Sequence, residues 1–203
     1  GRFTNDSTGT LIGDQGLILH TTDRGKTWAT QVLSDGSIIT ASMNVIDGKD
    51  ANVYAIAGDH GTILYTADAG VTWRQSDIGS RDAVKGISFF DKLTATAVGK
   101  DGIVLRTTDG GATWSYLPHK PITNLLRSSA FLKGDTSLGL AVGDLGTILR
   151  TTNCGKEWTP VESKFENTLR SVCFMNSEYA IAVGAVGSIL KSTDGGVTWN
   201  HQL

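Results

Sequence analysis

The chain has 203 residues, with 18 lysines and arginines against 20 aspartates and glutamates, and its formal net charge is −2. This length suits one domain with a substantial core, and the near-neutral charge argues against a nucleic-acid-binding protein, which would need a basic excess to neutralise phosphates. No apolar run approaches the ~20 residues that cross a bilayer, and two cysteines are too few for a disulfide framework.

The predicted elements follow one another in the same order along each part of the chain. A short β-rich run comes first, as in Val84–Phe89 and Leu169–Phe174, and a second run follows, as in 179–183. Next comes a Gly-x-x-Gly segment, which predicts a tight hairpin because two residues separate apolar runs and glycine tolerates positive φ. The five copies of this segment lie at 13–16, 58–61, 99–102, 143–146 and 184–187.

A third apolar run, as in 188–190, leads into an eight-residue motif, and a fourth run begins at the tryptophan that ends the motif. The motif reads Ser/Thr-x-Asp-x-Gly-x-Thr-Trp and is an Asp-box. Its five copies, at 21–28, 66–73, 107–114, 151–158 and 192–199, contain every tryptophan of the protein, at spacings of 45, 41, 44 and 41 residues. The fourth copy departs from the pattern at Asn153, Cys154 and Glu157, so we expect its turn to be the least stable.

Four short strands per ~40 residues predict an all-β protein, a β-propeller of five four-stranded blades. Because Phe3 aligns with Phe89 and Phe174, the chain starts near the end of its first strand, and the first blade is expected to be incomplete. An open arc of a larger propeller and an open solenoid of β-repeats are the alternatives. The single domain 1–203 divides into repeats at approximately 1–35, 36–79, 80–120, 121–163 and 164–203.

The Asp-box residues have a structural explanation. The carboxylate can accept hydrogen bonds from turn N–H groups, and the tryptophan buries a large ring beneath the turn. A catalytic or calcium-binding role for the aspartates is the alternative. The residues assigned to the structural role are Asp23, Trp28, Asp68, Trp73, Asp109, Trp114, Asn153, Trp158, Asp194 and Trp199.

The full repeat narrows the choice among Asp-box families. It reads apolar-Arg-Ser-x-x-Phe, then Ala-Val-Gly-x-x-Gly-Thr-Ile-Leu-Arg-Thr-Thr-Asp-Gly-Gly-x-Thr-Trp, most fully over residues 122–199. This pattern closely resembles the photosystem II stability/assembly factor family, and the resemblance extends over essentially the whole chain. It implies a propeller that acts without catalysis, on the lumenal side, in assembly of the reaction-centre D1 protein. It therefore implies a periplasmic, thylakoid-lumenal or extracellular location, although the chain itself begins without a signal peptide.

Propellers usually bind ligands at the mouth of their channel. One equivalent first-strand position holds Thr40, Lys85, Arg127 and Arg170, and arginine is suited to gripping carboxylates such as a peptide C-terminus. We therefore predict a peptide-binding site at Lys85, Arg127 and Arg170 for an anionic segment or C-terminus of a protein client. The resemblance implies basic client-binding residues in comparable repeats. The alternative is that these are ordinary strand residues bridged to nearby acids.

A second equivalent position lies at the end of the third strand. It holds His20, Tyr65 and the secondary basic residues Arg106, Arg150 and Lys191, for which a solvated blade face is the expected setting. Asp14, Asp59 and Asp144 recur in the Gly-x-x-Gly turn, which favours aspartate for backbone reasons, so no chemistry is assigned to them.

Enzyme, metal and cofactor readings find less support. A sialidase needs three clustered arginines and a tyrosine beside a glutamate, yet all four glutamates lie between Glu157 and Glu178. The four histidines, His20, His60, His119 and His201, have no paired ligand spacing. Cys154 and Cys173 are expected to be free thiols. We predict no enzyme, no metal and no cofactor; a secreted carbohydrate-binding or sialidase-like glycan-hydrolysing propeller is the alternative function.

Overall fold

The computed structural model describes residues 1–117 and 122–202. Within these residues the strands form five four-stranded antiparallel sheets, in which neighbouring strands are consecutive in the chain. This arrangement confirms the prediction of an all-β protein with propeller-type blades. None of the described residues belongs to a helix long and apolar enough to span a membrane.

The strand bounds follow the repeats. The first sheet contains β1 (Arg2–Phe3), β2 (Gly9–Ile12), β3 (Ile18–Thr21) and β4 (Ala29–Thr30). The second contains β5 (Met43–Asp47), β6 (Tyr54–Gly58), β7 (Ile63–Thr66) and β8 (Arg74–Ser76). The third contains β9 (Val84–Phe89), β10 (Ala95–Gly99), β11 (Val104–Thr107) and β12 (Ser115–Tyr116). The fourth contains β13 (Leu126–Phe131), β14 (Gly139–Gly143), β15 (Ile148–Thr151) and β16 (Thr159–Val161). The fifth contains β17 (Leu169–Phe174), β18 (Ala180–Gly184), β19 (Ile189–Ser192) and β20 (Asn200–Gln202).

The first sheet has four strands, although its first strand is short. β1 has 2 residues, whereas β9, β13 and β17 have 6 each. Phe3 pairs with Gly9 in the same register in which Phe131 pairs with Gly139. The two residues of β1 therefore correspond to the end of the first strand in the other sheets, and the incompleteness of the first blade stays a prediction.

Two compact units divide the chain. The first contains residues 1–95 and 107–115, and the second contains residues 96–106 and 116–203. The single domain over residues 1–203 stays a prediction, and the predicted repeat boundary at 120 and 121 lies outside the described residues.

Each Gly-x-x-Gly segment closes its hairpin with a type I′ turn. In the first copy, Gln15 and Gly16 have φ values of 55° and 72°, and the Leu17 N–H donates to the Asp14 carbonyl at 3.1 Å. Both central residues of such a turn need positive φ, which explains the second glycine.

Neighbouring sheets pack face to face within each unit. We call the face that meets the preceding sheet the front face and the face that meets the following sheet the rear face. In the second unit, Ile148 on the rear face of the fourth sheet packs with Leu190 on the front face of the fifth. In the first unit, Ile18 of the first sheet packs in the same way with Leu64 and Trp73 of the second. The core therefore consists of apolar layers between sheets.

Hydrogen bonds within the Asp-box hold its turn. Asp23 Oδ1 accepts from the Thr27 N–H at 2.9 Å and from Thr21 Oγ1 at 2.8 Å, while Oδ2 accepts from Thr27 Oγ1 at 2.6 Å. The hydrogen bonds from Thr27 are the main reason that the pKa of Asp23 is lowered to about 2. Equivalent hydrogen bonds form around Asp68, Asp109 and Asp194.

The fifth residue of the box brings the turn against the rear face of the preceding sheet. A Cβ on Gly196 would lie 2.7 Å from Leu140 Cδ2, and one on Gly155 would lie 2.7 Å from Thr96 Oγ1. These glycines have φ values of 86° and 70°, a backbone conformation that favours glycine, and a larger residue would also displace the side chains that they contact. Four of the five indoles beneath the turns are buried, and Trp28 is half-buried.

Candidate functional site

The predicted basic positions of the second unit lie on β-bulges in the first strands. The register shift of the fourth sheet falls between Leu126 and Ser128, so Arg127 is the bulged residue, and Arg170 corresponds to it in the fifth sheet. Leu126 pairs with Gly143, the first glycine of the Gly-x-x-Gly turn. A bulge changes the direction of its extra side chain. Here it places both guanidiniums at the end of the sheet that carries the Gly-x-x-Gly turn.

In the second sheet the register places Asn44, not Thr40, at the corresponding position. The shift there follows Met43, whereas Thr40 lies in exposed chain ahead of the strand. The alignment of Thr40 with the basic residues is therefore wrong, and the second sheet contributes an amide side chain.

In the first unit, Lys85 is engaged by an acid of the neighbouring turn. Lys85 Nζ lies 2.7 Å from Asp59 Oδ1, and Asn44 Nδ2 donates to the same oxygen at 2.9 Å and to the Val84 carbonyl at 3.0 Å. The hydrogen bond from Lys85 is the main reason that the pKa of Asp59 lies below its ordinary value. Lys85 is therefore one arm of a surface ion pair.

In the second unit, Arg127 forms a two-point pair with Asp144. Arg127 Nε donates to Asp144 Oδ1 at 2.6 Å, and Nη2 donates to Oδ2 at 3.2 Å. Thr168 Oγ1 donates to Oδ1 at 3.0 Å. The Arg127 hydrogen bond chiefly lowers the pKa of Asp144, so the carboxylate stays ionised and fixes the guanidinium in place.

Arg170 stands beside this pair and has no such partner. Its side chain is exposed, and within residues 1–117 and 122–202 it makes no direct hydrogen bond or ion pair. Its charge contributes to the lowered pKa of Asp144, which places it near that carboxylate. The turn of the fifth sheet carries Ala185 where the fourth carries Asp144, so this turn position supplies no acid to Arg170. Of the two bulged arginines, Arg127 is therefore held by a carboxylate, whereas Arg170 makes no such contact within the part of the chain that the structure describes.

Two of the secondary basic positions lie between sheets and not on a solvated face. Arg106 Nε donates to the Cys154 carbonyl at 3.2 Å, and Arg150 Nε donates to the Gly195 carbonyl at 2.9 Å. Both carbonyls belong to the Asp-box turn of the following sheet, which covers the position. Lys191 differs, since its Nζ lies 5.1 Å from the centre of the Tyr179 ring.

Asp59 and Asp144, to which the sequence alone assigns no chemistry, each accept a hydrogen bond from a predicted binding residue. Lys85 and Arg127 are therefore bridged to nearby acids, which is the alternative named for them above. The first strand of each sheet pairs with the glycine that precedes the aspartate. This pairing brings opposite charges to the same end of the sheet, and it is the feature from which the ion pairs could have been predicted.

The other candidate groups are dispersed. Among residues 1–117 and 122–202, no three histidine, cysteine, aspartate or glutamate side chains form a group that could hold a metal ion. His119, one of the four histidines considered above, lies outside the described residues. Cys154 and Cys173 are free thiols, as expected, and Cys173 is exposed.

The fold and the site define an Asp-box repeat protein of the propeller class, with basic side chains beside acidic turns at its sheet edges. The chain belongs to the family of photosynthesis system II assembly factors described as YCF48, which matches residues 2–115 and 71–203. The resemblance inferred from the repeat is thereby confirmed.

Three solved structures are similar to the chain at low sequence identity. YCF48 from Cyanidioschyzon merolae is 17% identical, with a TM-score of 0.57, and the alignment covers 96% of this chain and 80% of that one. A structure described as YCF48 bound to D1 peptide is 18% identical, with a TM-score of 0.49, over 99% of this chain and 79% of that one. The GH74 xyloglucanase from Xanthomonas campestris is 12% identical, with a TM-score of 0.71, over 94% of this chain and 36% of that one. No curated protein matches the chain significantly.

Proposed function

We propose that the protein is a non-catalytic assembly factor that holds an anionic segment of a client protein at Arg170. Membership of the YCF48 family supports the assembly role. The observation that carries the binding role is the exposed guanidinium of Arg170 beside the Arg127–Asp144 pair. A guanidinium can donate two parallel hydrogen bonds to a carboxylate, so a peptide C-terminus or an acidic side chain suits this position.

Arg127 supports the same ligand from a fixed position. Its pair with Asp144 uses two of the five N–H donors of a guanidinium, which leaves the others available. Because the pair holds Arg127 still, the ordering cost of a long side chain falls on Arg170 alone. Lys85 is occupied by Asp59 and contributes positive charge in the first unit.

Two features favour a peptide ligand over a glycan. Trp73, Trp114, Trp158 and Trp199 are buried, so their rings cannot serve as exposed platforms for sugars. The likeness to the GH74 xyloglucanase, at 12% identity, concerns the fold alone. We further propose a periplasmic, thylakoid-lumenal or extracellular location, which family membership supports.

The test is a binding titration with a fluorescent acidic peptide that has a free C-terminal carboxylate. Arg170→Glu should weaken binding by at least about tenfold, because a favourable charge contact is replaced by repulsion. Lys133→Glu is the matched control, since Lys133 is exposed and lies in the loop between β13 and β14 of the fourth sheet, away from the bulges. The control should bind as the natural chain does, and both variants should keep its melting temperature.

A second variant tests the role of the neighbouring pair. Asp144→Asn removes a negative charge beside Arg170 and releases Arg127. The gain in attraction for an acidic peptide should exceed the ordering cost of the released side chain, so peptide affinity should rise by several-fold, with the gain reduced in high salt. Unchanged affinity of Arg170→Glu, or a loss equal to that of the Lys133 control, would remove Arg170 from the binding site.

A further inference from the structure

The first central residue of each Gly-x-x-Gly turn lies at the tip of its hairpin and is exposed in all five sheets. Its φ is between 53° and 56° in every copy, in the left-handed region that asparagine, aspartate and glycine tolerate best. Three of the five tips are polar, whereas those of the fourth and fifth sheets are aliphatic. In chain order the tips are Gln15, His60, Asp101, Leu145 and Val186.

Leu145 and Val186 are unfavourable residues for these tips. Their side chains are 68% and 91% exposed, so they contribute little to the core. A left-handed backbone brings Cβ close to the following carbonyl oxygen, and it is rarest for β-branched residues such as valine. Neither burial nor turn geometry therefore explains the two aliphatic tips. Unfavourable conformations of this kind cluster at sites that contact a ligand.

The same two turns hold the segment of chain that leads into Arg170. In the fourth sheet, the N–H of the residue after Leu145 donates to the Asn167 carbonyl at 3.0 Å. In the fifth sheet, the N–H of the residue before Val186 donates to the Thr168 carbonyl at 2.8 Å. Both aliphatic tips are therefore tied by the backbone to the chain two or three residues ahead of the exposed guanidinium.

The tip of the fourth sheet also borders an open cavity of about 490 Å³. The apolar part of its lining includes Leu145, Val161 and Phe165. Val161 and Phe165 are half-buried and pack against the core of the second unit, so this wall of the cavity is supported from below. Phe165 belongs to the loop that leads to Arg170. The cavity therefore offers an apolar side chain a place next to the proposed binding site for a carboxylate.

We infer that Leu145 and Val186 select a client segment in which an acidic residue has an aliphatic residue on each side. The inference rests on the proposed function, because it takes Arg170 as the group that binds the carboxylate. One aliphatic side chain packs in the cavity against Leu145 and Phe165, and the other packs against Val186. These contacts remove apolar surface from water on both partners, so they add affinity that a guanidinium alone does not supply. Charge then attracts any acidic segment, and the two tips distinguish one acidic segment from another.

The experiment titrates two fluorescent peptides of equal length and charge, with blocked termini, that differ only in their cores, Leu-Glu-Leu and Ser-Glu-Ser. The natural chain should bind the leucine peptide at least about tenfold more tightly, because two leucine side chains leave water. A double variant, Leu145→Asn with Val186→Asn, should bind both peptides with the affinity that the natural chain has for the serine peptide. Since asparagine suits a type I′ turn, this variant should melt no lower than the natural chain.

Val71→Asn is the matched control, since it replaces a valine that is 60% exposed in an Asp-box and not in a Gly-x-x-Gly turn. It should keep the preference for leucine, whereas Arg170→Glu should weaken the binding of both peptides.

The outcomes separate the inference from the proposed function. Equal binding of the two peptides by the natural chain, or a leucine preference that survives in the double variant, would overturn the inference, while an effect of Arg170→Glu on both peptides would leave the proposed function standing. No effect of Arg170→Glu on either peptide would overturn both. Vesicles that contain phosphatidylglycerol test a lipid surface as the other occupant. If the natural chain binds them, the double variant does not, and the two peptides bind alike, the tips contact lipid and the inference is wrong.

Discussion

At the residue scale, His20 shows how a sheet-to-sheet joint acts on an ionisable group. Its imidazole is buried at 8% exposure, near the glycine of the second Asp-box, and a Cβ on Gly70 would lie 3.3 Å from His20 Nδ1. Neither ring nitrogen has a hydrogen-bond partner among the described residues. Burial lowers the pKa of His20 below 6.5, and the nearby charge of Asp68 offsets only part of this effect.

The lowered pKa predicts a loss of stability on mild acidification. Below about pH 6.5 the unfolded chain binds a proton at His20 that the folded chain does not bind, so the free energy of unfolding falls as the pH decreases. Urea unfolding at about pH 7.5 and about pH 5.5 should show this loss in the natural chain, and His20→Gln should reduce it. His60→Gln, at an exposed turn residue, is the control and should show the same loss of stability as the natural chain. An equal loss between the two pH values in both variants would contradict the assignment to His20.

At the element scale, the fourth Asp-box shows how a changed sequence keeps its turn. Asn153 Oδ1 accepts from the Glu157 N–H at 2.9 Å and from Thr151 Oγ1 at 3.0 Å, as an aspartate does in the other copies. Asn153 Nδ2 donates to Glu157 Oε2 at 3.3 Å, which replaces the short threonine-to-carboxylate bond. The two unusual residues therefore compensate for each other.

This compensation predicts a non-additive result. Asn153→Asp alone should destabilise the protein, because it sets two carboxylates against each other, and Glu157→Thr alone should leave the Asn153 amide without its acceptor. The double variant restores the usual box and should raise the free energy of unfolding by about 0.5–1.5 kcal/mol, measured by chemical denaturation. Additive effects of the two changes would show that the residues do not interact.

The strands could be predicted closely from the sequence, because the repeat shows each element five times. The predicted runs Val84–Phe89 and Leu169–Phe174 coincide with β9 and β17. The site could be predicted only in part. Asn44 lies 14 residues before Gly58, as Arg170 lies 14 residues before Gly184, whereas Thr40 lies 18 residues before Gly58, so the alignment of Thr40 is an error that the spacing to the turn could have revealed.

The position of Arg106 and Arg150 between two sheets could not be predicted from the sequence, for a different reason. Alternation along a strand separates its two faces, but it does not show that both faces of an inner sheet are covered. Only the packing of the next Asp-box turn shows that these guanidiniums donate to backbone carbonyls. The ion pairs of Asp59 and Asp144 likewise depend on register, which a single sequence does not give.

At the scale of the whole molecule, the prediction of one domain implies that the chain unfolds cooperatively. One domain should unfold in a single transition, in which circular dichroism and tryptophan fluorescence coincide. Trp114→Ala should lower the free energy of unfolding by about 3–5 kcal/mol, because Trp114 is buried, and should shift both signals together. Trp28→Ala should cost less, since Trp28 is half-buried. Two separate transitions would show that residues 1–95 with 107–115 unfold apart from the remainder.

The glycine at the fifth Asp-box position has a consequence for how proteins of this kind change length. Gly155 approaches Thr96 as Gly196 approaches Leu140, so successive repeats carry interchangeable connectors. Excising residues 121–163 would present the box containing Gly196 to the surface that Gly155 now contacts. Duplication or loss of whole repeats in a gene therefore needs no new packing interface between sheets. The number of repeats can change while each repeat keeps the side chains with which it binds a ligand.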